Sequence, residues 1–145
     1  MPTFVKSSVI GAPRSKVFAF HEQDDALTLL SPAFPPVRVI EHSGGIKTGA
    51  RVVLKIGPTT WVAHHTAYEQ DRLFVDELVS GPFASWVHRH EFSDEGVRCR
   101  LTDRVTFALP GGPVVNALFG WAMNIGLRQI FAFRHAVTRR HCERR

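Results

Sequence analysis

RLFVDELVSGPFASWVHRHEFSDEGVRCRLTDRVTF, residues 72–107, contains three strand-like runs, Arg72–Val79, Ala84–Phe92 and Val97–Phe107, separated by two short turn signals. Alternate residues of a strand point to opposite faces. The middle run therefore presents Trp86, His88, His90 and Phe92 on one side and Ser85, Val87, Arg89 and Glu91 on the other. Phe74, Asp76, Leu78 and Leu101, Asp103, Val105, Phe107 share the first side; Arg98, Arg100, Thr102, Arg104 and Thr106 share the second. The first side reads as the interior of an antiparallel sheet and the second as its solvated face. Two carboxylates and two imidazoles thus point inward, where a charge is costly unless it is paired or hydrogen-bonded.

The turns suggest a register. With Gly81-Pro82-Phe83 as the first loop, Asp76 stands opposite His88 and Leu78 opposite Trp86. With Glu95-Gly96 as a two-residue turn, His88 stands opposite Asp103, His90 opposite Leu101 and Trp86 opposite Val105. The result is a row, Asp76, His88, Asp103. A tight turn at Gln70-Asp71 adds His65 beside Asp76, from a strand whose inner residues are Trp61, Ala63, His65 and Ala67. A slip of one residue would bring His64 there instead and exchange the faces.

Outward from this core the punctuation is regular. Phe4–Ile10 alternates as a strand and ends at Gly11-Ala12-Pro13, with Pro13 at the first helical position. Val17, Phe18, Phe20 and His21 continue a short helix, and Asp24 or Asp25 caps a second one carrying Ala26, Leu27, Leu29 and Leu30. Ser31–Pro36 breaks it. Val37–His42, Ala50–Ile56 and Trp61–Tyr68 follow as strands between the turns Ser43-Gly44-Gly45 and Gly57-Pro58-Thr59. After Pro110-Gly111-Gly112-Pro113, one long helix is expected from Val114 to Arg140, with Leu118, Ala122, Ile125 and Phe133 against the sheet. A long helix over the inner face of a curved antiparallel sheet leaves a space between the layers, where a ligand would sit. The expected class is α+β: a curved seven-stranded antiparallel sheet around a C-terminal helix.

With 145 residues, 44% hydrophobic and 21% charged, the chain is expected to be one domain with a sizeable core. The net charge of +5 is concentrated at Arg134, Arg139, Arg140, Arg144 and Arg145, where cations complement a helix C-terminus. No aromatic residues interleave them and no nucleic-acid-binding motif is present, so no nucleic-acid partner is expected. Cys99 and Cys142 form no metal or redox spacing and read as reduced thiols of a cytoplasmic protein. Pro113–Leu127 falls short of the ~20 apolar residues of a membrane span, so no transmembrane segment is expected.

Ala12-Pro13 before Val17-Phe18-Ala19-Phe20, Phe74-Val75-Asp76-Glu77, Gly81-Pro82-Phe83 through Trp86-Val87-His88-Arg89-His90-Glu91-Phe92, and Leu101-Thr102-Asp103-Arg104-Val105 through Pro110 resemble the START-like superfamily, also called SRPBCC, which includes polyketide cyclases and Bet v 1-like proteins. The likeness spans essentially the whole chain. It is strongest to a bacterial branch of small proteins that also occurs fused to sugar-epimerase-like domains. It implies a helix-grip fold with a deep hydrophobic cavity. Members bind lipids, sterols, hormones or polyketides, and some are cyclases, aromatases or dehydratases; no catalytic set is shared among them.

Three readings of Asp76, His88 and Asp103 stay open: a network satisfying interior polar groups, an anchor for a ligand's polar group, or an acid–base apparatus. A metal is not expected, because cross-strand neighbours in a flat row do not converge as tetrahedral ligands do, and no cofactor motif is present. The candidate ligand-binding set is His65, Phe74, Asp76, Trp86, His88, His90, Asp103, Phe107, Trp121 and Ile125. Trp61, Phe119 and Phe133 are further aromatic lining candidates, and Gly44-Gly45 and Gly81-Pro82-Phe83 are gate candidates. The favoured function is carriage of a small hydrophobic molecule, lipid-like or polyketide-like; the alternative is a cyclase or dehydratase with His88 as acid or base, oriented by Asp76 or Asp103.

Overall fold

A computed structural model of the chain describes residues 2–32 and 36–143. Part of the expected break at Ser31–Pro36, and Arg144 and Arg145 of the basic tail, lie outside the described residues. The elements run β1 (Thr3–Ile10), α1 (Arg14–Glu22), α2 (Ala26–Leu29), β2 (Val37–Ser43), β3 (Arg51–Ile56), β4 (Thr59–Glu69), β5 (Leu73–Ser80), β6 (Ser85–Glu95), β7 (Arg98–Ala108) and α3 (Gly112–Cys142). The sheet is antiparallel with order β1-β7-β6-β5-β4-β3-β2, so β2 to β7 form a meander and β1 closes onto β7. This is the seven-stranded helix-grip architecture.

Local chemistry explains the joints. Pro13 sits just before α1, one residue earlier than expected, and its carbonyl accepts the N–H groups of Lys16 and Val17. Asp25 precedes α2, but its side chain makes no cap; its backbone carbonyl bonds Leu29 instead. Gly111 enters α3 at φ 110°, a left-handed conformation favouring glycine, and an added Cβ would lie 2.7 Å from Val115. Asn116 closes the same corner, exchanging hydrogen bonds with the backbone N–H and carbonyl of Leu109.

Two cores fill the interior. Phe18, fully buried, meets Tyr68, Phe74 and Phe92 edge-on, alongside Ile10, Leu101, Cys99 and Cys142. Phe4, Val105, Phe107, Leu127 and Phe131 make the second. Burial raises both thiols, to about 11 each, so these cysteines are protonated packing groups rather than reactive ones.

The face of α3 differs from the expected one. Gly120, Leu127, Phe131, His135, Thr138 and Cys142 are buried, whereas Leu118, Ala122, Ile125 and Phe133 are exposed. Apolar residues surround most of this helix, so hydrophobicity alone does not select a face. Close approach at Gly120 to Pro2, the Phe4–Phe131 contact and the polar pairing of His135 select it instead. Among the described residues no helix is long and apolar enough to cross a membrane.

Candidate functional site

The inner faces of β5, β6 and β7 deliver the charged residues by parity, as the alternation dictates. Asp76 faces His88 across β5–β6, and His65 faces Asp76 across β4–β5. The latter pairing survives because a three-residue turn replaces the expected two-residue one and an irregularity between His65 and Ala67 compensates. Across β6–β7 the register differs by two residues. Gly96 and Val97 form the turn, with Gly96 at φ 76°, so Glu95 pairs with Arg98 and Asp103 stands opposite His90 rather than His88. Glycine at the first central position of a two-residue hairpin suits that turn. An even slip keeps every side chain on its face.

The shifted register makes Asp103 a hub. Its Oδ1 accepts from His88 Nε2 at 2.8 Å and faces His90 Nδ1 at 3.1 Å, while Oδ2 accepts from His135 Nε2 at 2.6 Å. The far nitrogen of His135 meets Ser8 Oγ at 2.8 Å, tying the hub to β1 and α3. Asp76 Oδ2 accepts from His90 Nε2 at 2.9 Å and lies 3.9 Å from His88 Nδ1. The two imidazoles stack at 3.6 Å, and Phe74 covers His90 at 3.9 Å. The expected flat row is therefore a staggered group, in which one donor atom each from Asp76, His88 and His90 lies within 4.8 Å of the others.

Protonation follows from the partners. His90 has a carboxylate at each nitrogen, so both nitrogens carry protons when both carboxylates are ionised. Burial opposes that charge, but the hydrogen bonds to Asp103 and Asp76 outweigh it and raise the His90 pKa. Burial and neighbouring His90 lower that of His88, which leaves its Nδ1 as an acceptor when Nε2–H points at Asp103. Burial alone would raise both carboxylates. The His90 bond and the charges of His88 and His90 instead hold Asp76 at about 2, and bonds from His135, His88 and His90 hold Asp103 well below the usual range.

Three participants are not among the candidate site residues read from the sequence: His135, His21, read only as part of a short helix, and Arg134, read only as part of the basic C-terminal group. His21 gives its Nδ1–H to Val17 O at 2.9 Å, and burial pushes its pKa down to about 4. Arg134 has a buried Nε without a hydrogen-bond partner. Burial lowers its pKa against the attraction of Asp103 and Asp76. Arg134 lines, with His21, His90, Asp103 and His135, a void of about 10 Å³, room for about one water. Beside the His/Asp group the space is this small void, not the deep cavity expected there. A larger concavity, about 480 Å³, opens on the outside between Pro2, Thr3 and α3.

The remaining candidates separate into two places. Phe107 is fully buried and Trp86 half-buried, the latter against Trp61 at 5.2 Å, Phe83 at 4.9 Å and His88 at 6.5 Å. Trp121 and Ile125 lie on the outer surface, 64% and 48% exposed, beside the outer concavity and away from the His/Asp group. His65 Nδ1–H donates to the Ile46 carbonyl oxygen at 3.0 Å, and burial lowers its pKa.

The family model for polyketide cyclase, dehydrase and lipid transport proteins matches residues 10–133. The chain belongs to this family. Within the polyketide cyclase family fold, solved structures are similar over nearly the whole chain. An aromatase/cyclase from Streptomyces sp. R1128 superposes with TM-score 0.75 at 11% identity, covering 99% of this chain and 94% of the other. Norcoclaurine synthase from Thalictrum flavum, in complex with dopamine and hydroxybenzaldehyde, gives 0.72 at 11% identity over 99% and 87%. A nucleoside-diphosphate sugar epimerase from Corynebacterium glutamicum gives 0.74 at 24% identity; it covers 94% of this chain, which spans only 28% of that longer protein. None of the curated proteins compared matches the sequence.

Proposed function

We propose that this polyketide cyclase family protein binds a small hydrophobic molecule carrying a hydroxyl or phenol, with its apolar body among Trp61, Phe83 and Trp86 and its O–H donated to His88 Nδ1. The observation that carries this reading is the half-buried aromatic trio Trp61, Phe83 and Trp86, of which Trp86 meets edge-on the buried imidazole of His88, whose Nδ1 is left as an acceptor. Large aromatic surfaces left partly wet beside one oriented polar atom are the usual makings of a ligand site. Phe83, from the Gly81-Pro82-Phe83 loop, packs on Trp61 and Trp86, so in this reading the loop borders the entrance.

Two probes differing by one hydroxyl test it. In the presence of a chelator, and on a Trp121→Phe background that removes the exposed fluorophore, 2-naphthol should quench the remaining tryptophans more strongly than naphthalene at equal concentration. His88→Ala should weaken 2-naphthol by about 1–3 kcal/mol, the usual cost of an unsatisfied buried partner, and leave naphthalene nearly unchanged. Equal loss for both probes, or no quenching, would reject the site.

A second reading, a cyclase- or dehydratase-type enzyme, is favoured by the Asp103–His88 hydrogen bond of 2.8 Å, the arrangement in which a carboxylate orients a general base. Under it, His88→Ala lowers turnover of a polyketide-like substrate by roughly 100-fold with little change in affinity.

A further inference from the structure

We infer that Asp76, His88 and His90 form a site for one divalent first-row transition ion, with Asp103 as the outer carboxylate that orients both imidazoles. His88 and His90 are two residues apart on β6, so both rings leave the same face of one strand, and Asp76 reaches them from β5. The atoms that meet are Asp76 Oδ2, His88 Nδ1 and His90 Nε2. The first is 3.9 Å from the second and 2.9 Å from the third. Donors on an ion with bonds of 2.0–2.1 Å in tetrahedral geometry are separated by roughly 3.4 Å. These two distances bracket that value and all three donors lie within 4.8 Å of one another, so ring rotations would have to draw the two imidazole nitrogens together on the ion.

The far nitrogens carry the argument further. His88 Nε2 and His90 Nδ1 both point at the same oxygen of Asp103, at 2.8 and 3.1 Å. A ligating histidine almost always gives its other N–H to a carboxylate or carbonyl, which fixes the tautomer and turns the lone pair toward the ion. Here one buried carboxylate does this for both rings, and His135 in turn holds that carboxylate by its second oxygen. Two imidazoles and one carboxylate suit zinc, iron, cobalt or nickel rather than calcium or magnesium. The ion replaces the proton that His90 shares with Asp76, and three protein donors leave a coordination position for water or an organic oxygen.

This goes beyond the proposed ligand site and does not need an organic ligand; the ion and a ligand hydroxyl compete for the same His88 nitrogen, which is why the naphthol titration is run with a chelator and this one without a ligand. Chelator-stripped, dialysed protein is titrated with Co²⁺ and followed by visible absorption and calorimetry. One ion per chain is expected, with the strong visible bands of a four- or five-coordinate site. Asp76→Asn and His88→Gln should each weaken binding at least 10-fold, and His64→Gln, an exposed imidazole, should not.

Should those two variants fail to fold, ring nitrogen NMR of the unsubstituted protein decides: Co²⁺ must perturb His88 and His90 before His42, His64 and His141. Absence of binding, binding unchanged in Asp76→Asn or His88→Gln, or perturbation centred on the other histidines would overturn the ion site. None of these outcomes touches the aromatic ligand site, whose probes contain no metal.

Discussion

Asp103→Ala is expected to remove about 3–5 kcal/mol of stability, the range for breaking a buried ionic group by deleting one partner. That is a large part of the total for a domain of this size. The size of the effect follows from connectivity: Asp103 is 4% exposed and meets His88, His90 and His135 at once. Deletion leaves three buried imidazoles short of an acceptor and Asp76 as the remaining carboxylate beside them. Urea denaturation followed by circular dichroism measures it. Asp103→Asn, which keeps an acceptor oxygen while losing the charge, should fall between the two. A loss below about 1 kcal/mol for the alanine variant would mean that the hub is replaceable and that its stability role is misread.

Acid should weaken the fold well before ordinary carboxylate titration, and the sign follows group by group. His21 has a folded pKa of about 4 against 6.5 when unperturbed. Between those values the unfolded chain binds a proton that the folded chain refuses, so stability falls as pH drops from 6.5 toward 4. A gap of about 2.5 pH units corresponds to about 3 kcal/mol. Asp76, at about 2 against 3.8, adds stability present above 3.8 and lost as pH falls through 2. His90 acts oppositely: its raised pKa contributes below 6.5 and is lost as pH rises through the folded value. Denaturation midpoints measured with a chelator at pH 7, 6, 5 and 4 should decline steadily, and His21→Asn, which cannot titrate, should flatten the upper part of that decline. A flat profile in the unsubstituted protein would show that His21 is not buried neutral.

Much of this was legible because strand parity is robust. Asp76, His88, His90 and Asp103 share a face whichever residue begins the turn, since the Gly96-Val97 turn displaced the register by two and not by one. What parity does not convey is which neighbour each side chain bonds. His88 reaches Asp103 on the diagonal, and Asp103 stands opposite His90. The helix was less legible. His135 and Thr138, both buried, occupy what hydrophobic patterning marks as a polar flank, while Leu118, Trp121 and Ile125 stay outside. A histidine inside is explained only by its partner on a strand 32 residues earlier, and Arg134 likewise takes its place from the charges it faces. The missed signal was an excess of acceptor capacity: two buried carboxylates offer more lone pairs than the two β6 histidines can fill.

The closure of β1 onto β7 has a kinetic side. From β2 to β7 every neighbour in the sheet is a neighbour in the chain, so that portion can zip through successive short loops, whereas Ser8 and His135 are 127 residues apart. Loop entropy for the latter contact is paid only once the meander offers a surface to dock on. The first strand and the last helix should consequently arrive late, and the hub would acquire its third imidazole only in that final step. Phe4→Ala, at the β1–α3 seam, is then expected to accelerate unfolding while leaving the refolding rate almost unchanged, and a stopped-flow chevron in which the refolding limb slows instead would place this seam in the nucleus.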